Sequence, residues 1–278
     1  MKKIEKLYEI VATFIKKLGK DDISAYSAEA AFFLIISSFP FVMLLITLLN
    51  YLPITENVLA ALAEKILPSA VSGQAQEVIS ELAERASKTI ISITALVTLW
   101  TASKGMFSVI KGLNVACGVN ETRGYIRLRL SSLLYTLIFA GGVLFSLILL
   151  VFGNHIFMWL SNKISFLGQY SFLIGMRQII GFSVLIVFFW LIYAFAPNRK
   201  TKFLSELPGA VFASLGWIVF SYAFSFYINY IGNLSYFYGS LTSAIVLMLW
   251  LYICMYIVFI GAEINVFLKS KLFKRIRK

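Results

Sequence analysis

Charge is scarce in this sequence: 14% of its 278 residues are Asp, Glu, Lys or Arg, against 60% hydrophobic. A soluble domain of this length needs a far more charged surface, so the apolar excess must face something other than water. Histidine is nearly absent, with His155 alone. Hydrolytic metal sites need clustered histidines and carboxylates, so none is expected. The two cysteines, Cys117 and Cys254, lie far apart without metal-type spacing, and no disulfide is expected between them. There is no GxSxG motif and no P-loop. The expectation is a protein without catalytic residues, metal or cofactor, and not an enzyme. The first apolar segment is interleaved with lysines, so no cleavable signal peptide is expected.

What the chain has instead is long uncharged runs. Residues 30–55, 131–153 and 178–196 are three of them, and 207–262 carries no charge over 56 residues. About 20 helical residues cross the roughly 30 Å of bilayer hydrocarbon. The last run is therefore long enough for two spans and a turn at Gly232–Gly239. A weaker run, 89–103, lies between Lys88 and Lys104. The predicted fold class is all-α, a polytopic membrane helical bundle of about six transmembrane helices. The spans fall near 28–52, 89–108, 131–153, 172–196, 207–231 and 241–267, within a transmembrane domain over 28–268.

The formal net charge is +12. A basic balance suits nucleic acid or anionic membrane, and position decides between them. Residues 1–27, the stretch 104–130, the loop 197–206 and the tail 269–278 together hold 20 of the 25 Lys and Arg. The alternate loops hold Lys65, Arg85, Lys88 and Lys163. This is the positive-inside pattern, with both termini cytoplasmic, and it accounts for the charge without a nucleic-acid partner.

Residues 1–27 form a cytoplasmic amphipathic segment. Ile4, Leu7, Tyr8, Val11, Phe14, Ile15 and Leu18 repeat at helical spacing, with Lys6, Lys16 and Lys17 off that face. Such a helix either lies on the lipid surface or packs on the bundle's own loops. Residues 53–88 hold two more amphipathic patterns, one ended by Pro68 and one after Gly73, and five glutamates. They read as an acidic helical cap on the outer face. Pro40 interrupts the first span as a candidate kink. It offers no N–H to the Ile36 carbonyl, and Ser37 and Ser38 stand where they could compensate. The aromatic stretch from Tyr222 to Tyr238 reads as an interfacial belt rather than a ligand box.

The candidate site residues are charges within spans. Glu29 opens the first, Lys104 closes the second and Glu263 closes the sixth, all at the cytoplasmic side, with Asn114 and Asn265 nearby. An unpaired charge inside a membrane is costly, so Lys104 is expected to pair with Glu263 or Glu29. The cluster reads either as a helix-locking ion pair or snorkelling interface residues, or as a cytoplasmic gate or headgroup site. Arg177, near the outer start of the fourth span, either snorkels outward or contacts an anionic group such as a lipid phosphate.

Three segments resemble a known family. Residues 28–40 read Ala-Glu-Ala-Ala-Phe-Phe-Leu-Ile-Ile-Ser-Ser-Phe-Pro. Residues 99–114 read Leu-Trp-Thr-Ala-Ser-Lys-Gly-Met-Phe-Ser-Val-Ile-Lys-Gly-Leu-Asn. Residues 238–265 contain Tyr-Gly-Ser-Leu, Leu-Trp-Leu-Tyr and Gly-Ala-Glu-Ile-Asn. In this order they resemble the YihY/virulence factor BrkB family of six-helix bacterial inner-membrane proteins, over residues 20 to 268. The resemblance implies no catalytic residues. Members have carried the label ribonuclease BN, which is not transferred to this chain. Others have been linked to serum resistance or proposed as lipid exporters. The expected function is moving or handling a lipid or other amphiphilic envelope component. The alternative is a noncatalytic membrane scaffold for envelope assembly. The expected partners are membrane lipids and other envelope proteins, at a bacterial inner membrane.

Overall fold

The computed structural model describes residues 2–49, 64, 69–85, 91–163, 177–230 and 242–270. Eight α-helices and one 3-10 turn make up nearly all of them, and there is no strand among the described residues. In chain order the helices are α1 (Lys2–Lys20), α2 (Ile23–Leu49), α3 (Ser69–Arg85), α4 (Ile91–Ala116), α5 (Tyr125–Lys163), α6 (Arg177–Phe195), α7 (Leu207–Tyr230) and α8 (Thr242–Lys269). Ile23–Ile46, Tyr125–Leu144, Phe203–Ile228 and Thr242–Lys269 are each long and apolar enough to cross a membrane, and Gly181–Phe195 is a shorter apolar helix. The protein is an all-α, multi-pass membrane bundle.

Local chemistry sets the helix ends. Asp22 takes a left-handed φ of 47°, a conformation Asp tolerates, and joins α1 to α2 in a tight turn. Gly118, at φ 62°, ends α4. Its N–H donates to the Val115 carbonyl and that of Val119 to the Asn114 carbonyl, the paired bonds of a Schellman cap. Pro197 stops α6, and Pro208 stands in the first turn of α7, where a missing N–H costs nothing.

The helices alternate in direction. The starts of α2, α5 and α7 meet the ends of α4, α6 and α8 at one end of the bundle, called here the basic end. α2 packs along α4 and α8; α8 packs along α7; α7 packs along α6; α5 packs on α4. In lipid the apolar surroundings give no hydrophobic push between helices, so close packing and polar contacts hold them. Gly209 and Gly261 provide such a contact: a Cβ on Gly209 would fall inside the Gly261 carbonyl oxygen, so only glycines let α7 and α8 approach this closely. Ile23, Ile110, Leu113, Tyr193 and Phe259 are fully buried at the basic end. Outward, Phe32, Ile36, Leu134, Leu191, Phe212 and Val219 are exposed, as lipid-facing side chains are.

Several expectations change. α4 runs to Ala116, two turns beyond the expected end of the second span, and α5 begins at Tyr125. α3 starts at Ser69, with Gly73 inside it, and packs on α2, α7 and α8. The first amphipathic pattern of the cap lies outside the described residues except Glu64. α1 divides its apolar face: Phe14 meets Phe267 edge-on and Leu18 joins the core, while Tyr8, Val11 and Ile15 stay exposed. α2 continues through Pro40 to Leu49. The Ser37 and Ser38 hydroxyls do not reach the Ile36 carbonyl. They donate to Leu34 (3.2 Å) and Ile35 (2.7 Å), because a serine hydroxyl turns back one turn along its own helix.

Candidate functional site

Lys104 pairs with neither Glu263 nor Glu29; it is exposed and makes no ion pair among the described residues. The correction follows from helix length. Because α4 continues past Lys104, the lysine two turns further on reaches the level of Glu29. Lys111 Nζ donates to Glu29 Oε1 at 3.2 Å, and Ser108 Oγ lies 3.5 Å from the same oxygen. Glu263 is fully buried, and its cation is Lys17, which the turn at Asp22 brings back against α8. Asp21 joins the same group, accepting from Lys17 at 2.9 Å. Burial pushes the Asp21 carboxyl up, but hydrogen bonding shared with Glu263, the hydrogen bond from Lys17 and the nearby lysine charges outweigh it and hold the carboxyl below its ordinary value.

Asn114 and Asn265 are tethers for loops and helix ends. Asn114 donates to Glu121 Oε2 at 2.6 Å and accepts from the Asn198 N–H at 2.7 Å. Asn265 Oδ1 accepts from the Gly209 N–H at 2.7 Å, satisfying one of the orphan donors that open α7. Its Nδ2 donates to the Glu206 carbonyl at 3.0 Å. Arg177 opens α6; its side chain, like that of His155, lies outside the described residues.

Two features escaped sequence reasoning. The first is Glu206, fully buried in the turn before α7. Arg199 Nη2 donates to both of its oxygens at 3.1 Å, Lys269 Nζ to Oε1 at 2.6 Å, and the Thr201 hydroxyl to the same oxygen. The cluster joins the α6–α7 loop to the end of α8. A lone loop carboxylate gives no sign in the sequence of the cations it will meet; the available signal is its place one residue before an apolar span. Beside it, Glu121 accepts from Arg123 Nε (2.8 Å) and Nη2 (2.7 Å), and Arg123 also donates to the Ala196 carbonyl at the end of α6. The hydrogen bond from Arg123 holds the Glu121 carboxyl below its ordinary value against the effect of burial.

The second is Arg129, 3% exposed in the second turn of α5. Its guanidinium lies over the Trp100 ring at 4.4 Å and near Phe107 at 5.8 Å, and Nη2 donates to the Trp100 carbonyl. No carboxylate meets it among the described residues, and its Nε–H has no acceptor. Among the described residues no three His, Cys, Asp or Glu stand close enough to hold a metal ion. Cys117 and Cys254 are both buried thiols, and burial pushes Cys117 up to about 12, which leaves it protonated and unreactive.

A family model described as Virulence factor BrkB matches residues 14–278. The chain belongs to the virulence factor BrkB family. Among its relatives, "Putative ribonuclease-like protein YfkH" of Bacillus subtilis (strain 168) is 33% identical over 249 residues, covering 88% of this chain and 90% of that protein. A "UPF0761 membrane protein" of Vibrio campbellii is 25% identical over 90% of this chain and 79% of its own length. Another of that name, from Pseudoalteromonas atlantica, is 23% identical over 92% of this chain and 84% of its own. No solved structure matches. Within this BrkB-family chain, the segments that carried the resemblance hold Glu29 and Lys111, which pair with each other, and Trp100, which covers Arg129.

Proposed function

We propose that this BrkB-family protein binds and moves a lipid or other amphiphilic component of the bacterial envelope, without covalent catalysis. It does so from the inner membrane, with residues 1–27 and 269–278 in the cytoplasm. The observation that carries the reading is the position of Lys104. It is exposed on α4, next to the exposed Leu96, Val97 and Trp100, on a flank that looks outward from the bundle. An ammonium on such a flank meets lipid headgroups rather than a protein carboxylate. The alternation of basic loops supports the orientation. The word ribonuclease in one relative's name is not extended to this chain, whose described residues offer no metal-ligand cluster.

The test is reconstitution. Proteoliposomes carrying a fluorescent phospholipid should lose inner-leaflet label to an external quencher faster than protein-free vesicles. Equal rates would sink the transport reading. A scaffold for envelope assembly is the second reading, favoured by the solid packing of Tyr193, Phe259, Ile110 and Leu113 at the basic end. It predicts equal rates together with retained association with other envelope proteins. RNA cleavage that follows the purified chain through several columns and vanishes on a point mutation would overturn the noncatalytic reading.

A further inference from the structure

Charge inside the bundle is matched almost everywhere. Glu206 has Arg199 and Lys269, Glu263 has Lys17, Glu29 has Lys111, and Glu121 has Arg123. The α4–α5 flank is the exception. Arg129 and Lys104 both lie there, and neither has a carboxylate among the described residues. A buried guanidinium carries five N–H donors in a fixed fork. Here one donor goes to the Trp100 carbonyl, the Nε–H goes to nothing, and the ring centroids of Trp100 and Phe107 lie 4.4 and 5.8 Å from the guanidinium carbon. Cation–π contact offsets part of the desolvation but supplies no countercharge.

The surroundings indicate where the countercharge would come from. Trp100, the group that roofs Arg129, is itself 46% exposed. Lys104 lies one turn along α4 from Trp100 and from Phe107, on the same side of the helix. On α5, Tyr125, Ile126 and Leu130 around Arg129 are exposed. The Tyr125 ring rests against Phe107, with centroids 6.0 Å apart. The site thus opens sideways, toward lipid, in the second turn of an apolar helix, the level at which a bilayer changes from headgroup to hydrocarbon.

We propose that Arg129, with Lys104 at its edge, is a binding site for a phosphate-type oxyanion, and that the phosphate is that of an anionic phospholipid lying against the α4–α5 flank. The guanidinium fork matches two phosphate oxygens. Tipping of the Trp100 indole admits the headgroup, and the exposed apolar residues of both helices take the acyl chain. This deepens the lipid-handling reading and rests on it for the choice of a lipid over a free ion.

Fluorescence of Trp100 tests it, read as the difference between the full-length protein and its Trp100→Phe variant in phosphatidylcholine nanodiscs. Acyl-brominated phosphatidylglycerol should quench Trp100 with about fivefold higher relative affinity than acyl-brominated phosphatidylcholine, the scale of one interfacial cation acting on anionic lipid. Arg129→Gln should abolish the preference, and Arg129→Lys should keep only part of it. Lys104→Gln, at an exposed position that does not threaten folding, should lower it about twofold. Equal quenching by the two lipids in the unaltered protein would overturn the proposal. So would a preference that survives Arg129→Gln, or, should that variant not fold, one that Lys104→Gln leaves undiminished. Millimolar inorganic phosphate should leave quenching unchanged; displacement by it would overturn the lipid as the source of the oxyanion. Transport can fail with this preference intact, which sinks the movement of lipid and keeps the site. Transport with no preference sinks the site alone.

Discussion

Glu206 and Arg129 are both charged groups buried near the basic end, and they are treated in opposite ways. Two cations and a hydroxyl converge on the Glu206 carboxylate. Arg129 has two rings and one carbonyl. The Glu206 cluster joins the α6–α7 loop to α8, and its charge is met by cations of the same chain. Arg129 joins α4 to α5 by weaker contacts and keeps donor capacity in hand. A charge neutralised by its own chain holds helices together, whereas one left without countercharge suits an outside partner.

Removing Glu206 should have the largest effect on stability. Glu206→Ala leaves Arg199 and Lys269 facing each other without an anion, and breaking a buried pair in this way costs about 3–5 kcal/mol. Chemical unfolding in detergent micelles measures the loss. A change below about 1 kcal/mol would place the cluster with surface pairs of little value and break the comparison. Arg129→Met should cost less, under about 2 kcal/mol, because the lost cation–π contact is offset by no longer burying an unmatched charge. A loss as large as that of Glu206→Ala would make Arg129 a structural clamp.

Acid should act on the loop beside them. Glu121 has its carboxyl depressed in the folded protein by Arg123, so its contribution is present above the ordinary carboxylate range and is lost as pH falls through the depressed value. Glu121→Gln should flatten the acid side of a thermal stability–pH profile, and an unchanged slope would remove that linkage. The smallest effect belongs to Lys104. Lys104→Ala should change stability by no more than about 0.5 kcal/mol, as at other exposed sites. Combined with Glu29→Gln, the two changes should add within about 0.5 kcal/mol. Coupling beyond that would restore the pair that the structure separates.

The membrane bundle was legible because its cause is compositional. Uncharged runs such as 207–262 can only be helices in lipid, since a span must satisfy its backbone within itself. Close packing of α4 on α2 rests on Gly105, where a Cβ would strike Ser37 and Leu34. The charged residues were legible as costly, but their partners were not. Pairing depends on where helices stop and how loops fold back, and both are set by side chains distant in sequence. α4 runs thirteen residues past the end of its uncharged run at Ser103 before Gly118 caps it with a left-handed backbone turn, and Lys17 reaches Glu263 across 246 residues. The sequence alone determined that charges such as Glu29, Lys104 and Glu263 would sit at one end of an apolar bundle. Tertiary structure decided which of them neutralise each other and that Arg129 lies behind Trp100 without a carboxylate among the described residues, because ion pairing is a matter of a few ångströms between helices and hydropathy is a property of each helix by itself.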